Sequence, residues 1–189
     1  AFEKIVNFVL CSNSRIFSVR SIHKYMKTDF PDLALSTVAR FMEWLKEAYI
    51  IDEIPQYSTK TKRELKYYGK IYNCDVSLNS LRANNNRYDL DHNLENVVYN
   101  ELLYMGYELK VFTNNGKEID FLASKDNKIF YVQVAYSVAD EKAYEREMSA
   151  FDNLDNRNQK VLITNDIVDY STSVVRHIKF EEFLMMEEL

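Results

Sequence analysis

Five basic residues fall within the eleven positions from 60 to 70, and they are the first group in this sequence that could do chemistry. They are Lys60, Lys62, Arg63, Lys66 and Lys70. Lys and Arg clustered at this density neutralise phosphates, which is the sequence-independent part of nucleic-acid binding. Such a cluster is also typical of a solvated loop or of a surface that packs against a neighbouring module. The sequence leaves both interpretations open, and the first predicts DNA contact through Lys60, Lys62, Arg63 and Lys66.

The sequence lacks the residues needed for a disulfide framework, a zinc site, ATP hydrolysis or a membrane span. Cys11 and Cys74 are too isolated for a disulfide framework or a zinc site, which favours a reducing, cytoplasmic setting. His92 and His177 have no Cys or His at ligand spacing. None of the three glycines opens a G-x-x-x-x-G-K-[ST] loop, so ATP hydrolysis is not expected on these residues. No apolar run approaches the roughly 18 residues of a membrane span.

The charge of the chain is unevenly distributed, which predicts two modules. The chain has 189 residues, 47% of them hydrophobic and 28% charged, enough for a packed core. Residues 1–70 carry 12 Lys and Arg against 8 Asp and Glu, whereas residues 71–189 carry 12 against 21. We therefore expect an α/β (α+β) protein with domains at 1–72 and 73–189. Because the chain starts at Ala1 inside an amphipathic segment, we also expect it to be a fragment.

The first module has the element order of a winged helix. Helices are predicted at 2–10, 18–27 and 36–48, the last capped by Ser36, and strands at 49–57 and 64–72. Pro55 predicts an edge position for the first of these strands. The exposed face of the third helix presents Glu43 and Glu47 beside a single Arg40, which is a poor surface for phosphates. The basic hairpin is therefore the better candidate for DNA contact.

The second module is predicted to have the order αβββαβ. A helix at 91–106 precedes strands at 107–112, 118–123 and 129–136, a helix at 140–154 and a strand at 160–164. The short turns Asn115-Gly116 and Asp126-Asn127 predict an antiparallel meander. The last strand is expected to join in parallel after a helical crossover, which gives a central mixed sheet. Glu141, Glu145 and Glu147 are interpreted as a solvated helix face, and Cys74 as a small core residue.

This order resembles the restriction-endonuclease-like fold, whose signature is an Asp followed on the next strand by an acid, any residue and a Lys. Here Glu95 matches the helix acid, Asp120 matches the Asp, and Gln133-Val134-Ala135 occupies the third element. In that fold the carboxylates hold Mg²⁺ or Mn²⁺, which polarises the scissile phosphate. Ala135 in place of the Lys and a neutral Gln133 imply a degenerate site. The resemblance leaves a metal set of Asp120, Glu95 and a displaced Glu118 as an alternative.

A narrower resemblance covers nearly the whole chain. The motifs L-E-N-x-V-Y-x-E-L, E-I-D-F and Y-V-Q-V-A-Y, at 94–102, 118–121 and 131–136, resemble the C-terminal region of prokaryotic AAA-type P-loop ATPases. This resemblance implies a non-catalytic accessory region that engages DNA or a protein partner. It further implies an upstream ATPase module in cis that binds ATP and Mg²⁺. A metal-dependent nuclease and a pure protein-interaction scaffold remain the alternatives.

Overall fold

Seven α-helices and eight β-strands make up the part of the chain described by a computed structural model. That part is residues 1–58, 63–82 and 89–189, with the backbone alone at 58, 63–68 and 80–82. The strands form a mixed sheet in the order β1-β3-β2-β4-β5-β6-β7-β8, which confirms the predicted α/β class. The chain divides into two compact units, Ala1–Pro55 with Leu65–Asn96, and Gln56–Glu64 with Val97–Leu189. The predicted division at residues 72 and 73 stays a prediction.

The described residues up to Arg82 contain the three helices and two strands expected of a winged helix, together with one further strand and one further helix. They are α1 (Phe2–Leu10), β1 (Arg15–Phe17), α2 (Val19–Met26), α3 (Leu35–Glu47), β2 (Ile51–Ser58), β3 (Arg63–Asn73) and α4 (Ser77–Arg82). The three-residue β1, which the sequence analysis did not predict, pairs antiparallel with β3 from Arg15↔Ile71 to Phe17↔Gly69. Three residues are too few to show the alternation of apolar and polar residues that predicts a strand. The strand is recognisable only from its pairing with β3.

Apolar helix stripes bury the core of the first unit. Ser18 begins α2 with a reciprocal capping box to Ser21, which satisfies two backbone donors at the start of the helix. The predicted cap at Ser36 is wrong, because α3 begins after Ala34 without a side-chain cap. The helices and strands enclose a cluster of Ile5, Val9, Ile22, Met26, Val38, Met42, Leu45, Ile51 and Ile71.

Five asparagines form a polar network inside the same unit. Asn96, on helix α5 (Leu90–Tyr104), accepts the backbone N–H of Asn73 (2.9 Å) and donates to the Asn73 carbonyl (2.8 Å). Asn13 donates to the side chains of Asn93 and Asn96, and Asn79 donates to those of Asn13 and Asn93. Buried amides that satisfy one another fix geometry more strictly than apolar contacts do. The network therefore fixes the start of α5 against the end of β3.

The predicted αβββαβ order of the second unit is confirmed. Its elements are α5 (Leu90–Tyr104, which begins in the first unit), β4 (Glu108–Asn114), β5 (Lys117–Lys125), β6 (Lys128–Ala135), α6 (Glu141–Met148), β7 (Gln159–Thr164), β8 (Val175–Lys179) and α7 (Phe180–Phe183). Strands β4, β5 and β6 are antiparallel, and β7 joins β6 in parallel after α6. The hairpin turns carry positive φ at Asn115, Gly116, Asp126 and Asn127, as two-residue turns require.

Two expectations about individual residues are wrong. Strand β2 lies between β3 and β4 rather than at an edge, and its parallel pairing with β4 begins at Gln56, immediately after Pro55. The missing N–H of proline is therefore not needed in that ladder. Cys74 is exposed rather than part of the core. Trp44 on α3 is 47% exposed and packs against Phe2 and Phe41.

Candidate functional site

Asp120 lies at an irregularity of strand β5. The β4–β5 register passes from Lys110↔Leu122 to Phe112↔Ile119, so Val111 faces two residues, Asp120 and Phe121. Such a bulge reorients a side chain and is common beside functional sites. On the other side of β5, the ladder to β6 begins only at Phe121↔Val132. Asp120 therefore lies beyond the last regular pair on that side.

At Asp120, hydrogen bonds that involve side chains take the place of the backbone pairing between β5 and β6. Oδ2 of Asp120 accepts from the backbone N–H of Val134 at 2.9 Å, and the backbone N–H of Asp120 donates to Oε1 of Gln133 at 3.3 Å. The other end of the Gln133 amide, Nε2, donates to Oε2 of Glu147 at 2.7 Å. All three side chains are buried. Gln133 thus links an acid on β5 to an acid on α6, with both of its polar atoms engaged.

Glu147 is the member of this site that the sequence analysis missed. Oε1 of Glu147 accepts from Nε and Nη2 of Arg146, both at 2.7 Å. Burial raises the pKa of Glu147, while the hydrogen bonds from Gln133 and Arg146 act against that rise. Glu141 and Glu145 are exposed as expected, but the solvated position predicted for Glu147 is wrong. Glu145 is exposed and Glu147 is buried, although both lie on the same helix. Residue type alone does not predict which of the two acids is buried.

Ala135, Glu118 and Lys117 also lie in the second unit, near the positions expected in a nuclease-like site. Ala135 is buried beside Thr164 of β7 and contributes a methyl group to the core where a Lys would stand. Glu118 is half-buried on β5 opposite Thr113. Lys117, the nearest cation in sequence, donates to the backbone carbonyl of Ser149 at 3.1 Å. Apolar packing therefore takes the place of the expected lysine.

Glu95 belongs to the first unit, whereas Asp120, Gln133 and Glu147 belong to the second. Oε1 of Glu95 contacts Nζ of Lys70 at 2.6 Å and accepts from the hydroxyl of Tyr72 at 2.7 Å. The Lys70 and Glu95 side chains are only 4% and 9% exposed. Lys70, counted in the basic cluster from the sequence, is therefore in a buried ion pair and is not a surface cation.

The remaining cations of the basic cluster are not described by the structure. Lys60 and Lys62 lie outside the described residues, and only the backbone of Arg63 and Lys66 is described, within β3. Their predicted contact with nucleic acid stays a prediction.

Within residues 1–58, 63–82 and 89–189, no three His, Cys, Asp or Glu side chains form a group that could hold a metal ion. Glu147 has a carboxylate oxygen on Gln133 and the other on Arg146, and Oε1 of Gln133 accepts from the Asp120 backbone. The ligand set predicted from Asp120, Glu95 and Glu118 stays a prediction that this geometry does not favour.

A second polar cluster surrounds His177 on β8. Its Nδ1 accepts the backbone N–H of Tyr170 at 3.3 Å, so Nε2 carries the proton and donates to Oγ1 of Thr164 at 2.9 Å. The Thr164 hydroxyl donates to Asp166, whose carboxylate also accepts from Ser137 and from the Val138 backbone. Burial lowers the pKa of His177, and the Asp169 carboxylate acts against that fall. The cluster connects the ends of β6, β7 and β8.

Comparisons with known proteins divide the chain close to the start of α5. Residues 1–89 match the family described as "Domain of unknown function (DUF8612)", and residues 90–183 match "Domain of unknown function (DUF4143)". The two halves of the chain are therefore similar to two different families.

Two curated relatives match most of the chain. An "Uncharacterized protein" of Haemophilus influenzae is 30% identical over 86% of this chain and 40% of its own length. "Uncharacterized protein MJ1544" of Methanocaldococcus jannaschii is 30% identical over 79% of this chain and 35% of its own length. The chain thus spans about two fifths of the length of these relatives. No solved structure matches it significantly. No helix in the described residues is long and apolar enough to cross a membrane.

Proposed function

We propose that this chain is a non-catalytic accessory region of a larger protein, and that it binds DNA while an AAA-type ATPase module of the same protein turns over ATP. The observation that carries the proposal is the position of Gln133 between Asp120 and Glu147, with both amide atoms hydrogen-bonded. In this arrangement the site stabilises the ends of β5 and β6 against α6. The proposal treats it as a retained structural unit rather than a reaction centre.

The chemistry of phosphodiester hydrolysis supports a non-catalytic assignment. Metal-assisted hydrolysis needs carboxylates open to the ion and a cation that stabilises charge developing on the phosphate. Ala135 supplies no cation, and Glu95 is engaged by Lys70 and Tyr72 in the first unit. Breaking a buried ion pair of this kind to bind a metal would cost several kcal/mol.

The length of the relatives supports a place in a larger protein. The chain covers 40% and 35% of the two curated relatives, so most of each relative lies outside the matched region. The resemblance to AAA-type ATPases proposes a nucleotide-hydrolysing module for that remainder. The present residues lack the glycine-rich loop such a module needs, because their glycines are Gly69, Gly106 and Gly116.

A cleavage assay tests the non-catalytic part of the proposal. Plasmid and single-stranded DNA are incubated with Mg²⁺ or Mn²⁺ and with the wild type or Asp120→Ala. We expect intact DNA with both proteins. Metal-dependent cutting that Asp120→Ala abolishes would replace the proposal with the metal-dependent nuclease alternative.

A binding titration tests the DNA contact separately. We expect affinity to fall steeply with salt and to fall further in Lys60→Glu with Lys62→Glu, because each phosphate contact releases a counterion. The control is Lys128→Glu with Lys142→Glu, which changes the same charge at two exposed positions of the second unit. Equal loss in both double variants would indicate only a net-charge effect. No DNA binding at all would favour the protein-interaction scaffold.

A further inference from the structure

A groove of about 420 Å³ lies in the second unit, between the start of α6 and the segment that connects β7 to β8. One side is lined by Val138, Ala139, Glu141 and Tyr144, and the other by Asp169, Tyr170 and Ser171. Its volume is within the range of small-ligand sites, roughly 300–1,000 Å³. The residues of the buried Asp120 site do not line it, so the groove is a separate feature of this unit.

The charged side chains in the groove wall are all acidic. They are Glu141 and Asp169, both exposed, and no Lys, Arg or His is among the lining residues. Glu141 forms no ion pair with the described residues. Hydrogen bonding to Ser171 lowers the pKa of Asp169, so this carboxylate is ionised at neutral pH. His177, whose Nδ1 is 3.5 Å from Oδ1 of Asp169, does not neutralise it, because burial lowers the pKa of that histidine.

A third carboxylate is hydrogen-bonded to the groove wall. Asp166 accepts the backbone N–H of Val138 at 2.7 Å and the hydroxyl of Ser137 at 2.6 Å. Partial burial acts to raise the pKa of Asp166, but the hydrogen bonds that it accepts lower it, so this group is also ionised at neutral pH. Residues 97–189 as a whole carry 10 Lys and Arg against 17 Asp and Glu. The electrostatic field at the groove therefore attracts cations.

Two tyrosine rings give the groove an aromatic wall. Tyr144 on α6 and Tyr170 contact each other, with ring centroids 5.9 Å apart and an interplanar angle of 42°. Tyr170 also packs edge-on against the His177 ring and donates its backbone N–H to Nδ1 of that ring, which fixes its position. The face of a tyrosine ring attracts a cation within about 6 Å of its centroid. Because the two rings touch, a cation would lie over this wall, beside the carboxylates, rather than between the rings.

Two apolar side chains next to the groove are exposed. Ile167 and Val168 immediately precede Asp169 and are 87% and 61% exposed. Exposed apolar surface rimmed by polar residues is typical of sites that contact other proteins. A small cation in the groove would leave both side chains in water, whereas a peptide segment with one cationic side chain in the groove would extend over them. This favours a protein segment as the source of the cation.

We infer that this groove binds a lysine or arginine side chain in a short segment of a partner protein. The tyrosine wall contacts the cationic group, and Glu141 and Asp169 balance its charge. Ile167 and Val168 contact apolar residues of the same segment. The inference concerns a different surface from the proposed DNA contact of the basic hairpin and does not depend on it.

The test uses the full chain and two small probes, N-acetyl-lysine amide and the uncharged N-acetyl-norleucine amide. A third probe is a short peptide with one lysine between leucine residues. Amide chemical shifts locate each probe, and titration calorimetry measures its affinity. We expect N-acetyl-lysine amide to shift the amides of residues 138–144 and 169–171, and N-acetyl-norleucine amide to shift neither group. The peptide should bind more tightly than N-acetyl-lysine amide, because it also covers the exposed apolar pair.

Variants assign the binding to individual side chains. Glu141→Gln with Asp169→Asn should weaken the binding of N-acetyl-lysine amide about fivefold, because exposed ion pairs contribute modestly. Tyr144→Leu should weaken it about two- to fivefold through loss of the cation–π contact. The control Glu181→Gln with Glu187→Gln removes the same charge at exposed positions outside the groove and should leave the affinity unchanged.

Variants at exposed positions keep the outcome interpretable. Glu141 and Asp169 are exposed, so their double variant should fold even if Tyr144→Leu melts early. Ile167→Ser with Val168→Ser should weaken binding of the peptide and leave that of N-acetyl-lysine amide unchanged. Equal affinity of these two probes for the wild type would overturn the protein partner and assign the groove to a free organic cation. Absence of N-acetyl-lysine amide binding, or wild-type affinity in both groove variants, would overturn the inference.

Discussion

Nε2 of Gln133 donates a hydrogen bond of 2.7 Å to Oε2 of Glu147, while Oε1 of the same amide accepts the backbone N–H of Asp120. A neutral side chain thus connects the carboxylate of Glu147 on α6 with the backbone of Asp120 on β5. A glutamate at this position would place a third negative charge in the same buried space.

Replacing Gln133 with leucine should destabilise the fold. The variant Gln133→Leu leaves the Asp120 N–H and the Glu147 carboxyl without this partner, and we expect a loss of about 2–4 kcal/mol in the free energy of unfolding. Urea denaturation followed by circular dichroism measures it. Gln159→Leu, at an exposed position on β7, should change stability by less than about 0.5 kcal/mol. Equal stability of the two variants would show that the Gln133 bridge contributes nothing.

The stability contributed by Glu147 should fall as pH rises. Its native pKa is raised above the ordinary value of 4.5, chiefly by burial, so the native state binds more protons than the unfolded state just above pH 4.5. The free energy of unfolding should therefore decrease between pH 4.5 and the native pKa. Glu147→Gln should lack this component, which denaturation at several pH values would reveal. An identical pH profile for both proteins would contradict the prediction.

His177 should have the opposite dependence on pH. Burial lowers its native pKa below 6.5, so the unfolded state binds more protons between the native pKa and pH 6.5. The charged groups facing it are Asp166, Asp169 and Lys179, of which the two acids raise its pKa and the lysine lowers it. Stability should rise with pH through that window and then level off. His177→Gln should remove the rise, and thermal melting across pH 5–7 tests this; a rise that persists would assign it to other groups.

The asparagine network should contribute strongly to the stability of the first unit. Asn96→Ala removes the side chain that bonds both the N–H and the carbonyl of Asn73. Two buried backbone groups would lose these partners, so we expect a loss of about 2–4 kcal/mol. Chemical denaturation measures it, with Asn165→Ala at an exposed position as the control. A loss below about 0.5 kcal/mol in Asn96→Ala would show that the network is dispensable.

The periodic elements were predictable because their signals are local. Helix α1 and the strands of the β4–β6 meander have apolar spacing and turn residues that identify them without knowledge of their neighbours. The positive φ angles at Asn115 and Gly116 follow from the turn chemistry of those two residues. The α/β class and the parallel position of β7 followed from the order of these elements.

The environment of individual side chains was not predictable in the same way. Glu145 and Glu147 are the same residue type two positions apart, yet only Glu147 is buried and accepts a hydrogen bond from Gln133. Cys74 is predicted as a small core residue but is exposed. Burial depends on which surface another element covers, and a single sequence does not encode that contact locally.

The sequence by itself determined the helices, the strands and the positions of the candidate acids along them. Only the tertiary structure decided what each acid meets: Lys70 and Tyr72 for Glu95, and Gln133 for Glu147. The physical reason is that secondary structure follows from periodicity within a few residues. Hydrogen-bond partners, by contrast, are chosen by side chains that are distant in sequence and meet only after the chain has folded.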